Sequence, residues 1–209
     1  MNRRHGHNVG QNGGAWPDSQ ARSYDEWYET ALGRLCLRLE SRAIFALAGI
    51  KPGEAAIDLG CGTGVFSLEA ARRGARTVGV DSSAAMLAIA GSKAEHSDLP
   101  VSFLRADAES LPFPSESLDL VLAVTALCLA GKPAAVLQEA FRVLKPGGRL
   151  VIGELNRRSY WAWLRQLKGR FSESVYRHAR FLTFAELDTL LFRVDSSQGK
   201  KIRSSFFRH

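Results

Sequence analysis

Residues 55–83 read AAIDLGCGTGVFSLEAARRGARTVGVDSS, and this stretch decides the fold. An apolar run over residues 55–59 carries Asp58 near its end and breaks into Gly60, Gly62 and Gly64. A helical segment follows over residues 64–73, and Gly74 is placed to cap its C-terminus. A second apolar run, residues 76–80, stops at Asp81. Strand, glycine turn, helix and strand make one βαβ unit, which predicts a parallel sheet.

The same alternation continues downstream. Ser82 or Ser83 is placed to cap a helix through residues 84–90, and residues 101–105 read as a third strand. The segment ADAESLPFPSESL, residues 106–118, is a long loop punctuated by Pro112 and Pro114. Residues 118–124, LDLVLAV, form a continuous apolar strand of the kind found at a sheet centre. A helix over 133–144, a KPGG turn and a strand over 149–154 complete the run. Upstream, residues 24–50 read as helix, with Leu35, Leu39, Ala43 and Ala46 at three-to-four spacing. The expected architecture is a doubly wound α/β sheet with helices on both faces. No internal repeat interrupts it.

In such a sheet, ligands bind beyond the carboxyl ends of the strands, where the strand order reverses. The glycines after the first strand let backbone approach a ligand without a Cβ in the way. Asp81 follows Asp58 by 23 residues and closes the next strand, where a carboxylate accepts hydrogen bonds from vicinal ribose hydroxyls. A dinucleotide fingerprint spaces its glycines G-x-G-x-x-G and presents a helix N-terminus to pyrophosphate. Here the glycines fall at every second position, with an acid two residues before the first. An acid there repels pyrophosphate and suits a ligand carrying a sulfonium and an amino group. That favours S-adenosylmethionine over NAD.

The 209 residues carry a net charge of +7, unevenly spread. Residues 51–156 hold 10 basic and 12 acidic side chains, whereas residues 157–209 hold 12 basic and 4 acidic. The excess at the C-terminal end predicts either an anionic partner or a solvated basic surface. No apolar run approaches the roughly 20 residues of a membrane span. Residues 1–22 lack the apolar core of a signal peptide and read as a disordered, polar tail. Residues 23–209 read as a single domain. Cys36, Cys61 and Cys128 show no metal-ligand spacing, so they are expected as reduced thiols of a cytoplasmic protein with no metal.

The motifs DLGCGTG, VGVDSS, RADAESLPFPSESLDLV and EAFRVLKPGGRLVIGE, in this order over residues 24–154, together resemble the class I S-adenosylmethionine-dependent methyltransferases. The resemblance is to the small-molecule branch that includes ubiquinone and menaquinone methyltransferases. It implies a Rossmann-like, seven-stranded sheet, mostly parallel with an antiparallel last strand. It implies that Asp58 and residues 60–62 (Gly60, Cys61, Gly62) hold the methionine portion of the cofactor, and that Asp81 takes the ribose hydroxyls. Ser82 and Met86 would flank the adenine, while Asp107 and the Ala108 amide read its amino edge. Residues 124–127, beginning with Val124, would line the methyl-transfer point. Residues 23–50 would form lid helices that bring Tyr24 near the sulfonium, where an aromatic face attracts a cation. Residues 157–184 would form a cap over the acceptor. The family's end, two strands after a Gly-aromatic turn, is compressed here, and a hairpin of 192–195 with 202–207 is the expected remnant.

Methyl transfer needs alignment above all, and a base only where the acceptor is a protonated hydroxyl, phenol or carbon acid. Tyr176 and His178 are the candidate bases. The fourth strand lacks the Asn- or Asp-Pro-Pro-aromatic motif of exocyclic-amine methyltransferases, and no Pro-Cys pair is placed for cytosine chemistry. A small-molecule or lipid-like acceptor is therefore expected. In residues 157–180, seven Lys or Arg accompany one acid, and Tyr160, Trp163, Leu164 and Leu167 form an apolar stripe. This segment suits a cap or a peripheral contact with an anionic surface. Two alternatives stand beside this reading. One is an RNA or protein methyltransferase docking through the basic segment, against which no nucleic-acid motif is visible. The other is a non-catalytic partner subunit that binds the cofactor.

Overall fold

The computed structural model describes residues 20–159 and 179–198. In chain order these hold α1 (Ala21–Glu29), α2 (Ala31–Ala48), β1 (Ala55–Leu59), α3 (Val65–Arg72), β2 (Arg76–Asp81), α4 (Ala84–Glu95) and β3 (Val101–Arg105). They continue with β4 (Leu118–Val124), a 3-10 turn (Leu127–Leu129), α5 (Pro133–Val143), β5 (Leu144–Gly153) and α6 (Phe184–Gln198). The five strands of the described residues form one parallel sheet in the order β3-β2-β1-β4-β5. The order reverses between β1 and β4, so a crevice opens beyond the carboxyl ends of those two strands.

Alternation along the central strands places one apolar set on each face. Ala56 of β1, Leu120 and Leu122 of β4 and Val151 of β5 pack with Ile44, Phe45 and Ala48 of α2 and Phe66 and Ala70 of α3. The intervening Ile57, Leu59, Val121, Ala123, Leu150 and Ile152 pack on the other face with Leu137 and Phe141 of α5 and Leu187 and Leu191 of α6. A strand covered on both faces shows little polar sequence, which is why β4 is apolar except for Asp119 near its start, which accepts from the Ala55 amide at 2.9 Å and pairs with Lys145.

Residues 24–50 form two helices, not one. Thr30 sits between them in an extended conformation, and its hydroxyl accepts from the Gly33 amide at 3.0 Å while donating to the Trp27 carbonyl at 2.7 Å. Thr30 is thus the N-cap that restarts the chain as α2. The KPGG segment lies within β5 as an irregularity: pairing runs from Leu118↔Leu144 to Leu120↔Arg149. α1 starts at Ala21, inside the stretch read as a polar tail.

Residues 192–195, expected as a strand, are helical. Thr183 and Glu186 form a reciprocal capping box: the Thr183 amide donates to Glu186 Oε2 at 2.7 Å and the Glu186 amide to Thr183 Oγ1 at 3.3 Å. Leu187, Leu191 and Val194 then recur at helical spacing on the face buried against the sheet. Residues 202–207, the expected hairpin partner, lie outside the described residues.

The long loop after β3 is held by a buried-edge ion pair. Arg142 of α5 pairs with Glu139 and donates to the carbonyls of Phe113 at 2.8 Å and Leu111 at 3.0 Å. Glu139 in turn accepts from the Leu111 amide at 2.7 Å. Arg142 holds the Glu139 carboxyl below its ordinary range.

Candidate functional site

The crevice at the switch point is a pocket lined by Asp58, Gly60, Cys61, Thr63, Val65, Phe66, Val124 and Thr125, with Tyr24 and Tyr28 of α1 closing it. The loop from β1 to α3 builds its floor. Gly62 holds φ +53, and a side chain there would stand 3.7 Å from Tyr24 Cε1 and 3.9 Å from Met86 Sδ. Gly64 holds φ +78, and a Cβ would come within 2.7 Å of the Phe103 ring. Positive φ favours glycine at both positions, and at Gly64 the clash with Phe103 adds to it. The loop is tied to β2, because the Cys61 amide donates to the Val80 carbonyl at 3.0 Å.

Asp58 is 2% exposed, and its Oδ2 accepts from Ser67 Oγ at 2.6 Å. Burial pushes its carboxyl up to about 7; the Ser67 bond opposes the shift and the charge of Asp81 adds to it. Asp81 accepts from the Gly62 amide through Oδ2 and from the Ser83 amide through Oδ1, each at 2.9 Å. Two amides leave about two of a carboxylate's four or so lone-pair sites open, enough for a vicinal diol. Burial raises its pKa also, and the amide bonds oppose this.

Thr63 is 1% exposed, lines the pocket, and its hydroxyl has no partner among the described residues. A buried hydroxyl left unpaired costs about 1–3 kcal/mol, so it marks a place where a polar ligand group belongs. Cys61 is buried, and burial followed by the charges of Asp58 and Asp81 raises its thiol well above the ordinary value. It is a small, inert filler.

α1 is tied down over this floor. Tyr24 and Tyr28 share a hydroxyl–hydroxyl bond of 2.9 Å with their rings edge-on at 5.3 Å, and Trp27 packs on Tyr28 at 5.1 Å. Asp25 pairs with Lys93 of α4, and Lys93 also donates to the Thr63 carbonyl at 3.3 Å.

Of the residues singled out from the sequence, Tyr24, Asp58, Gly60, Cys61 and Val124 meet in the pocket, and Gly62 and Asp81 join them through the loop. Met86 is buried beside Gly62. Ser83, not Ser82, caps α4: its hydroxyl accepts from the Met86 amide at 3.3 Å. Ser82 is exposed, and its carbonyl accepts from Arg105 Nε at 3.0 Å. Asp107 is exposed and folds back on its own turn, accepting from the Glu109 amide at 2.8 Å, while Ala108 packs against the main core. Both stand apart from the pocket lining. Tyr176 and His178 lie outside the described residues, as does most of the basic segment 157–180.

Sequence reasoning assigned no role to Thr63, Val65 or Phe66. Thr63 lay inside the quoted glycine loop, and a hydroxyl at the centre of that loop was the available signal. Among the described residues no group of His, Cys, Asp and Glu is arranged to hold a metal ion, and no helix is long and apolar enough to cross a membrane.

The groups present fit S-adenosylmethionine. A buried carboxyl and an unpaired hydroxyl line the pocket, and a second carboxylate with open lone pairs stands beside the loop, groups chemically able to receive an amino group and a vicinal diol.

Comparison with known proteins agrees with this assignment. The family described as "Methyltransferase domain" matches residues 57–152. An uncharacterised protein of Mycobacterium tuberculosis is 37% identical over 171 residues, 82% of this chain and 56% of that protein. A demethylmenaquinone methyltransferase of Thermus thermophilus is 43% identical over 120 residues, 56% of this chain and 54% of that enzyme. The chain thus spans little more than half the length of these two relatives. A solved S-adenosylmethionine-dependent methyltransferase of Thermotoga maritima superposes with a TM-score of 0.69 at 29% identity, covering 85% of this chain and 77% of that one.

Proposed function

From a chain that belongs to the class I S-adenosylmethionine-dependent methyltransferases, we propose an enzyme that moves a methyl group to a small-molecule or lipid-like acceptor. The observation that carries this reading is the pocket at the switch point, where Asp58 and the unpaired Thr63 hydroxyl meet beside Asp81. When bound, S-adenosylmethionine supplies an activated methyl on a sulfonium with a good leaving group.

The chain's own contribution is binding, orientation and exclusion of water. Asp58, Thr63 and the Gly60–Cys61–Gly62 backbone receive the amino-acid end. Asp81 orients the ribose through its remaining lone pairs. Met86 and Ser82 flank the adenine, with Asp107 and the Ala108 amide at its far edge. Tyr24 and Tyr28 close the pocket from above and set an aromatic face near the sulfonium. Val124 and Thr125 form the wall toward the acceptor. Alignment of this kind supplies roughly 7–11 kcal/mol of a transfer barrier. The Thermus relative, by name a demethylmenaquinone methyltransferase, supports a small aromatic acceptor.

Calorimetric titration of S-adenosylmethionine, S-adenosylhomocysteine and NAD into wild type and Asp81→Ala tests the reading. Micromolar adenosyl binding that weakens by roughly 1–3 kcal/mol in the variant, with no NAD binding, is expected. Binding of NAD, or of no adenosyl compound at all, overturns it. A screen with methyl-labelled cofactor against small phenols and quinols then addresses the acceptor.

A further inference from the structure

The turn after β4 is under strain and is held from outside. Thr125 has φ +54, a left-handed conformation that a β-branched residue rarely adopts, and it lines the ligand pocket. Its amide donates to the Gly153 carbonyl at 2.6 Å. Its carbonyl accepts from the Cys128 thiol at 3.6 Å. Two residues on, the Leu127 amide donates to Glu154 Oε1 at 2.7 Å. The Cys128 carbonyl accepts from the Arg180 amide at 2.7 Å, which joins the same turn to the segment entering α6. Phe181 packs against Cys128 there.

Glu154 is the one acid in this arrangement. Its second oxygen, Oε2, is buried with no partner among the described residues. Burial pushes the carboxyl up to about 7, and the opposing contributions come from the Leu127, Cys128 and Ala126 backbone and the Cys128 thiol, with no charged side chain among them. A core that needed only an apolar plug here would carry leucine. A carboxyl is kept, at the expense of an unpaired oxygen, where its other oxygen performs a task.

We propose that Glu154 is a positioning residue for the pocket: by fixing the Leu127 amide it holds Thr125 in its left-handed conformation and so sets the pocket wall against which the adenosyl ligand packs. It acts through the turn and does not touch the ligand. The proposal rests on the methyltransferase reading for what the pocket holds, but the turn itself is observable without any ligand.

The experiment compares wild type, Glu154→Gln, Glu154→Leu and Glu154→Ala by amide hydrogen exchange at residues 125–129 and by calorimetric binding of S-adenosylhomocysteine. The exchange of β1 amides serves as a control for global stability. Glutamine retains an acceptor oxygen and matches the neutral carboxyl, so it preserves both protection and affinity. Leucine and alanine are expected to raise exchange at Leu127 at least tenfold with β1 unchanged, and to weaken binding about tenfold. Leucine fills the site, so it keeps the test valid if the alanine variant fails to fold. Unchanged exchange at residues 125–129 in the leucine variant overturns the proposal. So does lost protection accompanied by wild-type affinity, since the turn then does not set the pocket. Wild type that binds no S-adenosylhomocysteine defeats the methyltransferase reading, and the exchange data still decide whether Glu154 holds the turn.

Discussion

Asp58→Asn will make the ligand-free protein more stable at alkaline pH while weakening its pocket. The Asp58 carboxyl sits at 2% exposure with Ser67 as its hydrogen-bond donor, and burial raises it from an ordinary 3.8 to about 7. The folded state therefore holds its proton more tightly than the unfolded chain. Stability from this group is fully present below about pH 4 and declines as pH rises from there through about 7. The whole rise is equivalent to about 4 kcal/mol at 1.36 kcal/mol per pKa unit. Asparagine cannot ionise and still accepts from Ser67, though more weakly, which returns about 1 kcal/mol. The variant should match wild type within about 1 kcal/mol near pH 4 and exceed it by about 2–3 kcal/mol at pH 8.5. Urea denaturation followed by circular dichroism measures this, and with a slope of about 2–3 kcal/mol/M the midpoint should move up by about 1 M at pH 8.5. Working from the difference between the two proteins cancels every other titrating group. Parallel stability profiles from pH 4 to 8.5 would refute the claim that Asp58 is a buried acid held at the expense of the fold. A stabilised variant with weakened S-adenosylhomocysteine binding is the signature of a group retained for its ligand.

Three further substitutions probe the elements around the pocket. Gly64→Ala places a Cβ 2.7 Å from Phe103 Cζ and 3.0 Å from Ala90 Cβ at φ +78, and thermal unfolding should show a loss of about 2–3 kcal/mol. Thr183→Ala removes one half of the capping box at the start of α6 and should cost about 1 kcal/mol in a denaturant titration, with faster proteolysis of α6 before global unfolding. Arg142→Ala strips the carbonyls of Leu111 and Phe113 and leaves Glu139 without its cationic partner; a loss of about 2–3 kcal/mol is expected, with hydrogen exchange rising in residues 106–117 and unchanged in β1.

The parts of this protein legible from sequence are those where local chemistry and periodicity coincide. Asp58, the glycine loop and Asp81 are adjacent in one βαβ unit, so spacing alone brings them to one end of the sheet. β4 declares itself as central because a strand buried on both faces is apolar at nearly every position, with Asp119 near its start the exception. The helix α6 was misread for a local reason: residues 192–195 are short and apolar enough to pass for a strand, while the deciding signal, the Thr183–Glu186 box, lies a full two turns earlier. Residues drawn in from distant segments were not legible from spacing, and Tyr24 was expected at the pocket only through the family resemblance. Nothing near Tyr24 in sequence says that it reaches Gly62, since that contact depends on α1 lying across α4 through Asp25 and Lys93. Glu154 looked like the polar end of a strand. Only the parallel pairing of β4 with β5, which sets Val124 beside Gly153, brings its carboxyl under the Leu127 amide. Periodicity and motif spacing report what one segment does by itself. Which side chains from different segments share a pocket, and which buried acids carry a raised pKa, depends on burial and long-range contact, and those exist only once the sheet has closed its two faces.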